Sequence, residues 1–488
     1  MRRLSITIPS KRGFLYIFSF FNQLIHSDCF IMNSKTAKKT ALIVTSITNF
    51  MGPFMISSVN IALPAIQKEF SANAVLLSWI ATSYLLSTAV FLIPIGKIAD
   101  IYGRKKIFSN GILLFTLSSF FCAFSNSIYI LIILRMIQGI GGAMFMTTAM
   151  AIVASIFPPQ ERGKAIGILV SAVYIGLSAG PFVGGIFTQY FGWRSIFIFH
   201  TPIGIFAYVI ILIYIKGEWT DAREETFDLA GSILYGISLI ALIYGTTLLP
   251  EKTGIVLFVF SIIGLIAFVR QELHCDYPVF EVKLFVENHV FAFSSIAALI
   301  NYSATFAVTF LMSLYLQYIK SFPPQTAGLL LIAQPIMQAV FSPFAGNLSD
   351  RIEPFILASC GMALTAAGLF CCIFLGKNTG LFFILPTLIL LGIGFGLFSS
   401  PNMNAIMSSV SKRLYGIASG TVATMRLLGQ MISMAIATLV FSIIIGQQEI
   451  NIETFDLFLK SLRIIFIVLF ILCIMGIYFS MNRGKMRT

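Results

Sequence analysis

The chain has 488 residues, of which 58% are hydrophobic and only 10% are charged, and its mean hydropathy is +0.92. These proportions cannot supply the polar surface of a soluble protein. Charge-free stretches of 17 or more residues recur fourteen times along the chain, and each can cross a bilayer core, which needs roughly 20 apolar residues. The sequence therefore predicts a polytopic membrane protein and excludes soluble enzymes and nucleic-acid-binding proteins.

The apolar runs predict helices rather than strands. Barrel strands are about ten residues of alternating polarity, whereas these runs are long and apolar all round. We therefore predict an all-α integral membrane protein with 14 transmembrane helices. The predicted spans are 41–62, 76–97, 108–126, 128–150, 165–187, 196–216, 229–249, 254–271, 290–317, 325–345, 355–375, 381–401, 416–445 and 462–480.

The location of the basic residues predicts the orientation. The net charge is +13, and an N-terminus placed in the cytoplasm puts 23 of the 32 Lys and Arg in the tails and inner loops. Seven then fall in outer loops and two within helices. Because Lys and Arg gather on cytoplasmic loops, we predict a multi-pass protein of the cytoplasmic membrane with both termini inside. We therefore expect the surface of the protein to contact the lipid bilayer, and we expect no nucleic-acid partner.

The first residues differ from the rest of the chain. Residues 14 to 21 form an apolar patch that is too short to span a membrane and is not followed by a small-residue cleavage site, so a signal peptide is disfavoured. Met32 opens a basic lead-in to the first helix. We predict that residues 1 to 39 form a cytoplasmic segment and that residues 1 to 31 are a mis-assigned start.

An internal repeat predicts how the helices are grouped. The run Gly96-Lys97-Ile98-Ala99-Asp100 is echoed by Gly346-Asn347-Leu348-Ser349-Asp350, 250 residues later. Six helices with short loops need fewer residues than this, so an extra helical pair separates the copies. We predict two pseudo-symmetric six-helix bundles, 40 to 217 and 289 to 488, with a lipid-facing two-helix insert and its cytoplasmic connectors at 218 to 288.

The loop after the second helix combines closely spaced glycines with an acid and bases at the membrane surface. It reads Gly96-Lys97-Ile98-Ala99-Asp100-Ile101-Tyr102-Gly103-Arg104-Lys105-Lys106. This loop resembles the signature of the major facilitator superfamily, G-x-L-A-D-R-x-G-R-K, with Ile101 where arginine is usual. The resemblance implies that the aspartate pairs with an arginine and with a facing helix N-terminus, which closes the cytoplasmic side. The alternative is a simple interfacial anchor.

The expected cytoplasmic gate draws on both halves of the chain. From the first half we expect Gly96, Asp100, Gly103 and Arg104 to contribute. From the second half we expect Asp350 paired with Arg351, at the equivalent helix exit.

An arginine lies about two turns inside the predicted fourth helix. A charge at such a depth costs several kcal/mol unless it is partnered. The run that begins Arg135-Met136-Ile137-Gln138-Gly139 resembles the second superfamily signature, which implies a role in proton or substrate handling. The alternative is that backbone carbonyls and neutral partners such as Gln138 satisfy Arg135.

The fifth predicted helix has small residues on one face beside a proline. The positions are Gly176, Gly180, Pro181, Gly184 and Gly185. Small residues allow close helix packing, and proline removes one helical hydrogen bond, so we expect a closely packed, kinked hinge. The run resembles the antiporter signature of the superfamily, which implies efflux. A small-residue face by itself would indicate only tight packing.

Shorter matches cover nearly the whole chain after Met32. Together they resemble the fourteen-helix drug:proton antiporter branch, which implies export of small amphipathic or drug-like molecules without a cofactor. No phosphate-binding G-x-x-x-x-G-K-[ST] loop is present in the sequence, so direct nucleotide-driven pumping is disfavoured. The matches are Val59-Asn60-Ile61-Ala62-Leu63-Pro64, Phe191-Gly192-Trp193-Arg194, Leu316-Gln317, Ala327-Gly328, Gly392-Ile393-Gly394-Phe395-Gly396 and Arg426-Leu427-Leu428-Gly429.

One departure from the family pattern affects the expected coupling. Met55 stands in the first helix where similar proteins carry an aspartate, and no carboxylate lies deep in a predicted span. The embedded charges are Arg135 and Arg426, which favour an electropositive cavity and an anionic or zwitterionic substrate. A facilitator or importer of an organic anion or metabolite without proton coupling is therefore the alternative function. His200, near the outer end of the sixth helix, is a minor candidate for a proton carrier.

The expected cavity is lined by polar and aromatic residues that interrupt aliphatic spans. We expect a small-molecule substrate, protons as a further partner, a monomer and no metal. The run Pro401-Asn402-Met403-Asn404 is the expected irregular site at the end of a helix. The cavity candidates are Asn49, Asn60, Tyr84, Tyr174, Asn301, Tyr302, Gln334, Gln338, Asn402, Asn404 and Gln430.

A membrane enzyme or receptor is disfavoured by the sequence. Either would need a catalytic cluster or a sizeable soluble domain, and the longest predicted outer loop, 446 to 462, is short.

Overall fold

The computed structural model describes residues 34–215, 217–220, 222, 225–411 and 414–484. Within these ranges the protein is helical, without strands, and fourteen helices are long and apolar enough to cross a membrane. The predicted number and type of elements are therefore confirmed. The predicted start at Met32 falls outside the described residues.

The first bundle contains six helices, and the insert contains two. They are α1 (Ser34–Phe70), α2 (Ala74–Tyr102), α3 (Arg104–Ala123), α4 (Ile128–Ile156), α5 (Pro159–Phe191), α6 (Arg194–Tyr214), α7 (Leu229–Leu248) and α8 (Lys252–His274). A one-turn helix, Lys283–Glu287, leads to the second bundle.

The second bundle also contains six helices. They are α9 (His289–Leu314, continued by a π-helical turn at Tyr315–Ile319), α10 in two parts (Pro324–Leu331 and Ala333–Ser349), α11 (Pro354–Ile373), α12 (Leu381–Ser408), α13 (Tyr415–Ile444) and α14 (Phe455–Met481). We call the side of the membrane at which α1 begins and α14 ends the terminal face, and the opposite side the distal face.

Each bundle packs through its own helix pairs. In the first bundle α1 packs on α5, and α4 packs on both α2 and α3; in the second, α12 packs on α10 and α11, and α9 packs on α13. The bundles meet where α5 contacts α10, α2 contacts α13 and α1 contacts α9. Helices α7 and α8 pack on each other, and α7 contacts α2 and α13. The insert therefore lies against one edge of the bundle interface.

Small residues bring the helices of each bundle close together. A Cβ atom added to Gly141 of α4 would lie 2.6 Å from Phe115 N of α3, and one added to Gly361 of α11 would lie 2.5 Å from Phe398 N of α12. Real side-chain atoms do not approach backbone this closely, so glycine is needed at both contacts. Such contacts stabilise membrane bundles, in which lipid tails remove the hydrophobic driving force between helices.

The turn between α5 and α6 is fixed to the end of α1. Trp193 Nε1 donates to Glu69 Oε2 (2.7 Å), and Arg194 donates to the same oxygen (2.6 Å) and to Ser125 O (2.9 Å). The Trp193-Arg194 pair found in the sequence thus holds three distal segments of the first bundle together.

The predicted end of the twelfth helix at residue 401 is wrong. Helix α12 continues through Pro401 to Ser408, and the expected irregular site at Pro401-Asn402-Met403-Asn404 is regular helix. A proline removes only one backbone hydrogen bond, and neighbouring helices make that loss tolerable inside a membrane bundle.

Candidate functional site

Hydrogen bonds join the two bundles near the distal face. Side chains of α9 donate to backbone oxygens of α1, from Ser313 Oγ to Asn60 O (2.8 Å) and from Gln317 Nε2 to Ile61 O (3.0 Å). Further distal bonds between the bundles join Gln67 to Tyr318 and Ile450, Asn73 to Gln447, Ala74 to Gln448, and Ser78 to Thr438. This network seals the distal face.

The small-residue face of α5 packs against α1. A Cβ atom added to Gly176 would lie 2.6 Å from Phe50 O, and one added to Gly184 would lie 2.8 Å from the Cα atom of Ser58. Ser58 Oγ donates to Gly180 O (3.0 Å). Helix α5 runs unbroken through its proline. The tight packing predicted from the sequence is therefore present.

The same part of α5 also contacts α10 of the other bundle. A Cβ atom added to Gly185 would lie 2.5 Å from Pro324 O. One added to Gly328 would collide with the carbonyl group of Pro181, with its carbon at 2.8 Å. Both obstacles are backbone atoms, which cannot rotate away. Glycine at these positions is therefore part of the distal seal.

Toward the terminal face the bundles separate. Added Cβ atoms at Gly163 and Gly167 of α5, and at Gly416 and Gly420 of α13, would meet nothing within 4 Å. Within the described ranges, the hydrogen bond between the bundles that lies nearest this face is the mid-membrane contact of Tyr174 with Ser399. Among the residues that the structure describes, the cleft between the bundles is therefore open at the terminal face.

A polar and aromatic cluster lies where the open cleft ends. The hydroxyl groups of Tyr174 and Ser399 are 3.2 Å apart, across the two bundles. The ring of Tyr302 meets that of Phe395 edge-on, with centroids 5.3 Å apart. The charge of Arg426 acts on the Tyr302 hydroxyl group. Arg426 is half-buried, and among the described residues it forms no hydrogen bond or ion pair. We call these five residues the central cluster.

Arg135 lies inside the first bundle rather than in this cluster. It is 1% exposed, and its Nε atom donates to Ile80 O (3.2 Å). Its Nη1 atom donates to Gln138 Oε1, and Gln138 in turn donates to Ser119 Oγ (2.6 Å). The guanidinium carbon is 4.5 Å from the centre of the Tyr84 ring. Neutral side chains and a backbone carbonyl therefore satisfy Arg135. This is the arrangement that the alternative interpretation of Arg135 expected.

A third arginine is buried, which the sequence did not indicate. Arg483, just after α14, is 0% exposed. It donates to Asn402 Oδ1 (2.7 Å), Ser294 Oγ (3.2 Å), Ser480 Oγ (3.2 Å) and Pro354 O (3.3 Å). The expectation that Arg135 and Arg426 are the embedded charges is therefore incomplete. Residue 483 follows the apolar run, so its position suggested an exposed tail.

The acid and the base of the gate loop pair as expected. Asp100 and Arg104 form an ion pair of 2.7 Å, and Arg104 Nη1 donates to Ser155 Oγ of α4 (2.8 Å). In the second half, the expected ion pair between Asp350 and Arg351 is not formed within the described part of the chain. Asp350 instead ends α10, with its N–H donated to Asn347 O.

A carboxylate missed by sequence analysis caps α3. Glu218 accepts the backbone N–H groups of Lys105 (2.6 Å) and Lys106 (3.1 Å). A negative charge there satisfies unpaired N–H groups and the positive end of the helix dipole. The N-terminus of α3 is therefore capped by Glu218, and the contact of Asp100 with a facing helix N-terminus stays a prediction. Glu218 is far in sequence from Lys105 and Lys106, so no local sequence pattern linked it to the start of α3.

We expect Gly103→Ala to destabilise this loop. Gly103 has φ +119°, and an added Cβ atom would lie 2.6 Å from Glu218 Cγ. Backbone strain and loss of the Glu218 cap together should cost about 1 to 3 kcal/mol. Thermal unfolding in detergent measures the loss. Gly192→Ala is the matched control, since Gly192 has φ +77° and open space around it; an equal loss in both variants would show that the Glu218 contact contributes nothing.

The remaining candidates divide by burial. Fully buried within a bundle are Asn60, Tyr84, Gln138, Asn301, Gln338 and Asn402. Half-buried are Asn49, Tyr174, Tyr302, Gln334, Asn404, Arg426 and Gln430. Two of them hold helices of the second bundle together: Asn402 Nδ2 donates to Ser294 O (3.0 Å), and Asn404 Nδ2 donates to Ser349 Oγ (2.6 Å). A ligand in the cleft can contact only side chains that are accessible, so we expect it to meet the half-buried candidates rather than the buried ones.

Titratable groups deep in the spans are scarce. Met55 is 0% exposed, and His200, also 0% exposed, is enclosed by aromatic rings that include Phe54, at 5.1 Å between centroids. Carboxylates within the described spans lie close to helix ends, at Glu69, Asp100, Glu161, Glu272, Glu453 and Asp456. The central cluster therefore contains a cation and no acid.

Comparison with known proteins agrees with this architecture. The sequence profile of the Major Facilitator Superfamily matches residues 45–269 and 294–485. The chain is 31% identical over 410 residues to the riboflavin transporter RibZ of Clostridioides difficile (strain 630), covering 84% of this chain and 89% of that protein. It is 31% identical over 405 residues to the multidrug resistance protein Stp of Mycobacterium tuberculosis (strain CDC 1551 / Oshkosh), covering 81% and 75%.

A solved structure shares the fold. The inward-facing, unoccupied structure of a bacterial homologue of the human lysosomal transporter Spinster superposes with a TM-score of 0.68, at 16% identity, over 92% of this chain and 98% of that one. The profile match covers most of the chain, and the fold of fourteen helices agrees with it. The chain belongs to the Major Facilitator Superfamily, and it is a multi-pass membrane transporter.

Proposed function

We propose that the protein exports small amphipathic or drug-like molecules across the cytoplasmic membrane by alternating access. The observation that carries this proposal is the asymmetry of the bundle interface, which is sealed by hydrogen bonds at the distal face and open at the terminal face. With the orientation predicted from the basic residues, the open side faces the cytoplasm, where an exported substrate enters. Rocking of the bundles about the central cluster would then release the substrate outside.

The direction of transport and the coupling are supported by sequence features. The glycine and proline face of α5 resembles the antiporter signature, and it forms part of the distal seal. One similar protein carries the name multidrug resistance protein. The resemblance to the antiporter signature implies that inward movement of protons drives export, and we include proton antiport in the proposal.

A second candidate function is a facilitator or importer of an organic anion or metabolite without proton coupling. Two observations favour it: Met55 replaces the expected acid, and the central cluster carries Arg426 without an acidic partner among the described residues. A further similar protein is named a riboflavin transporter. The two candidates differ in whether substrate movement carries protons.

Transport into proteoliposomes with an imposed pH gradient separates the two candidates. Cationic, neutral and anionic amphiphiles are added in turn, while internal pH and substrate uptake are recorded. Substrate-dependent proton flux supports the antiporter. Substrate movement without proton flux supports the second candidate, and absence of movement for every class contradicts both.

We expect Arg426→Gln to weaken transport of anionic amphiphiles selectively. A half-buried guanidinium group offers charge-assisted hydrogen bonds to an anion, and their loss should reduce apparent affinity by roughly tenfold or more. Neutral amphiphiles should change little. Arg463→Gln, an exposed position on α14, is the matched control. An equal loss for all substrate classes would show that Arg426 supports the fold and does not select charge.

A further inference from the structure

A half-buried carboxylate, Asp228, and a buried one, Glu272, meet at the terminal end of the insert. Asp228 precedes α7, and its Oδ1 atom accepts the N–H of Gly231 (2.9 Å) as the N-cap of that helix. Glu272 lies in the last turn of α8, and its Oε2 atom accepts the N–H of Phe280 (2.9 Å). Each carboxylate therefore uses one oxygen to accept a backbone N–H group.

The second oxygen of each carboxylate is buried and has no partner. Glu272 is 1% exposed, and neither Glu272 Oε1 nor Asp228 Oδ2 has a hydrogen-bond partner. Both atoms converge on one point, since a Cβ atom added to Gly231 would meet Asp228 Oδ2 and Glu272 Oε1, the latter at 2.7 Å. Two anchored side chains thus direct their free oxygens at the same small space.

The surroundings of the two carboxylates are acidic. The charges acting on Glu272 are those of Asp228, at the start of α7, and Glu281, after α8. Cys275 is a further titratable neighbour; burial, the charges of Asp228 and Glu272 and a hydrogen bond from its thiol to the Asp228 carboxylate raise the pKa of that thiol. Within the described residues neither Asp228 nor Glu272 forms an ion pair, and the nearby Lys97 is paired with Glu225.

We propose that Asp228 and Glu272 form a proton-binding site in which one proton is shared between Asp228 Oδ2 and Glu272 Oε1. Two carboxylates whose unpartnered oxygens are buried beside the same point, without a cation, cannot both stay ionised at modest cost. A proton on one oxygen would give the other a hydrogen-bond donor, and both unpartnered atoms would be satisfied. A divalent cation would need about six oxygen ligands, whereas Asp228 and Glu272 each already use one oxygen to accept a backbone N–H group, and no cluster of three or more metal-ligating side chains is present among the described residues.

The site is connected to the gate loop. The segment from 217 to 228 leads directly into Asp228, and its described residues hold the loop at several points. Trp219 O accepts the N–H of Arg104 (3.0 Å), Ala222 N donates to Asp100 O (3.2 Å), and Glu225 pairs with Lys97. Gain or loss of a proton at Asp228 and Glu272 would therefore act on the segment that holds the gate loop. Its role in coupling rests on the proposed function, whereas proton binding does not.

Infrared spectroscopy tests proton binding without any substrate. Carboxylic acids in ordinary surroundings are ionised by about pH 6, so a carbonyl band of a protonated acid at pH 7 reports a retained proton. In pH-difference spectra of the full chain in detergent, we expect such a band in the wild type. Glu272→Gln, which keeps an oxygen for Phe280, should remove it. Asp276→Asn, at an exposed neighbouring carboxylate, should leave it unchanged.

A second variant distinguishes a shared proton from simple burial. Asp228→Asn keeps the N-cap oxygen of α7 but removes the like charge, so the band should vanish at lower pH than in the wild type. No change in Asp228→Asn would overturn the shared site, as would absence of the band in the wild type or its survival in Glu272→Gln. Loss of the wild-type band on adding sodium ions at constant pH would instead indicate a cation site and would also overturn it.

Proteoliposomes then test the role in coupling. If the proton of this site drives export, Glu272→Gln should move substrate while its substrate-dependent proton flux falls at least tenfold. Unchanged proton flux would contradict the role in coupling while leaving the infrared result in place. Absence of transport by the wild type would contradict the proposed function alone.

Discussion

Replacing Gly328 by alanine should shift the protein toward a state that is open at the distal face. The new methyl group would collide with the carbonyl group of Pro181, a backbone obstacle across the interface of the two bundles. Overpacking of this kind costs about 1 to 3 kcal/mol, and that penalty applies only while the distal face is closed. The population ratio of closed to open molecules should therefore fall by roughly 5- to 150-fold.

Spin-label distances across the distal face measure this shift. Labels at Lys68 of α1 and Glu453 before α14 are exposed and belong to different bundles, and they should move apart in Gly328→Ala. Gly167→Ala is the matched control, since an added Cβ atom there meets nothing within 4 Å. An unchanged distance distribution in Gly328→Ala would show that the contact with Pro181 does not decide closure.

Replacing Arg483 by alanine should destabilise the second bundle more than any other single charge removal in it. The side chain links α9, α11, α12 and α14 through four hydrogen bonds and is fully buried. Burial lowers its pKa to about 10, so the guanidinium group is charged at neutral pH. Alanine would leave Asn402 Oδ1 without its donor and create a cavity, at a cost of about 3 to 5 kcal/mol.

Thermal unfolding in detergent, followed by the circular dichroism of the helices, measures the effect. We expect the midpoint of Arg483→Ala to fall by about 5 to 10 °C. Arg483→Lys should lie between the alanine variant and the wild type, since lysine keeps the charge but not the planar donor geometry. Arg463→Ala removes an exposed arginine near the start of α14 and should change little. Equal midpoints for Arg483→Ala and Arg463→Ala would refute the structural role of Arg483.

Local patterns in the sequence were sufficient for several features of the protein. Fourteen charge-free runs predicted fourteen helices, because the bilayer allows few other solutions for long apolar segments. The small residues from Gly176 to Gly185 predicted tight packing, since the absence of a side chain is itself the cause of close approach. The pairing of Asp100 with Arg104 was also expected, from the resemblance of the gate loop to the family signature, and the two residues are only four positions apart in the chain.

Features that join distant segments escaped sequence analysis. Glu218 caps α3 from more than a hundred residues away, and Asp228 meets Glu272 only because α7 and α8 pack side by side. The expected pair of Asp350 with Arg351 failed for a different, local reason, since the side chains of adjacent residues at a helix end point in different directions. The burial of Arg483 depends on four helices that converge around it.

Fourteen membrane-spanning helices could be predicted from hydropathy, because the length and composition of an apolar run are local properties of a sequence. Their division into two bundles was predicted from the spacing of the internal repeat. The folded structure shows which side of the bundle interface is closed, which arginine lies at the end of the cleft and which carboxylates meet. Those properties depend on contacts between helices far apart in the chain. The effect of a charge or a glycine depends on the atoms that surround it, and those spatial neighbours are not apparent from the local sequence.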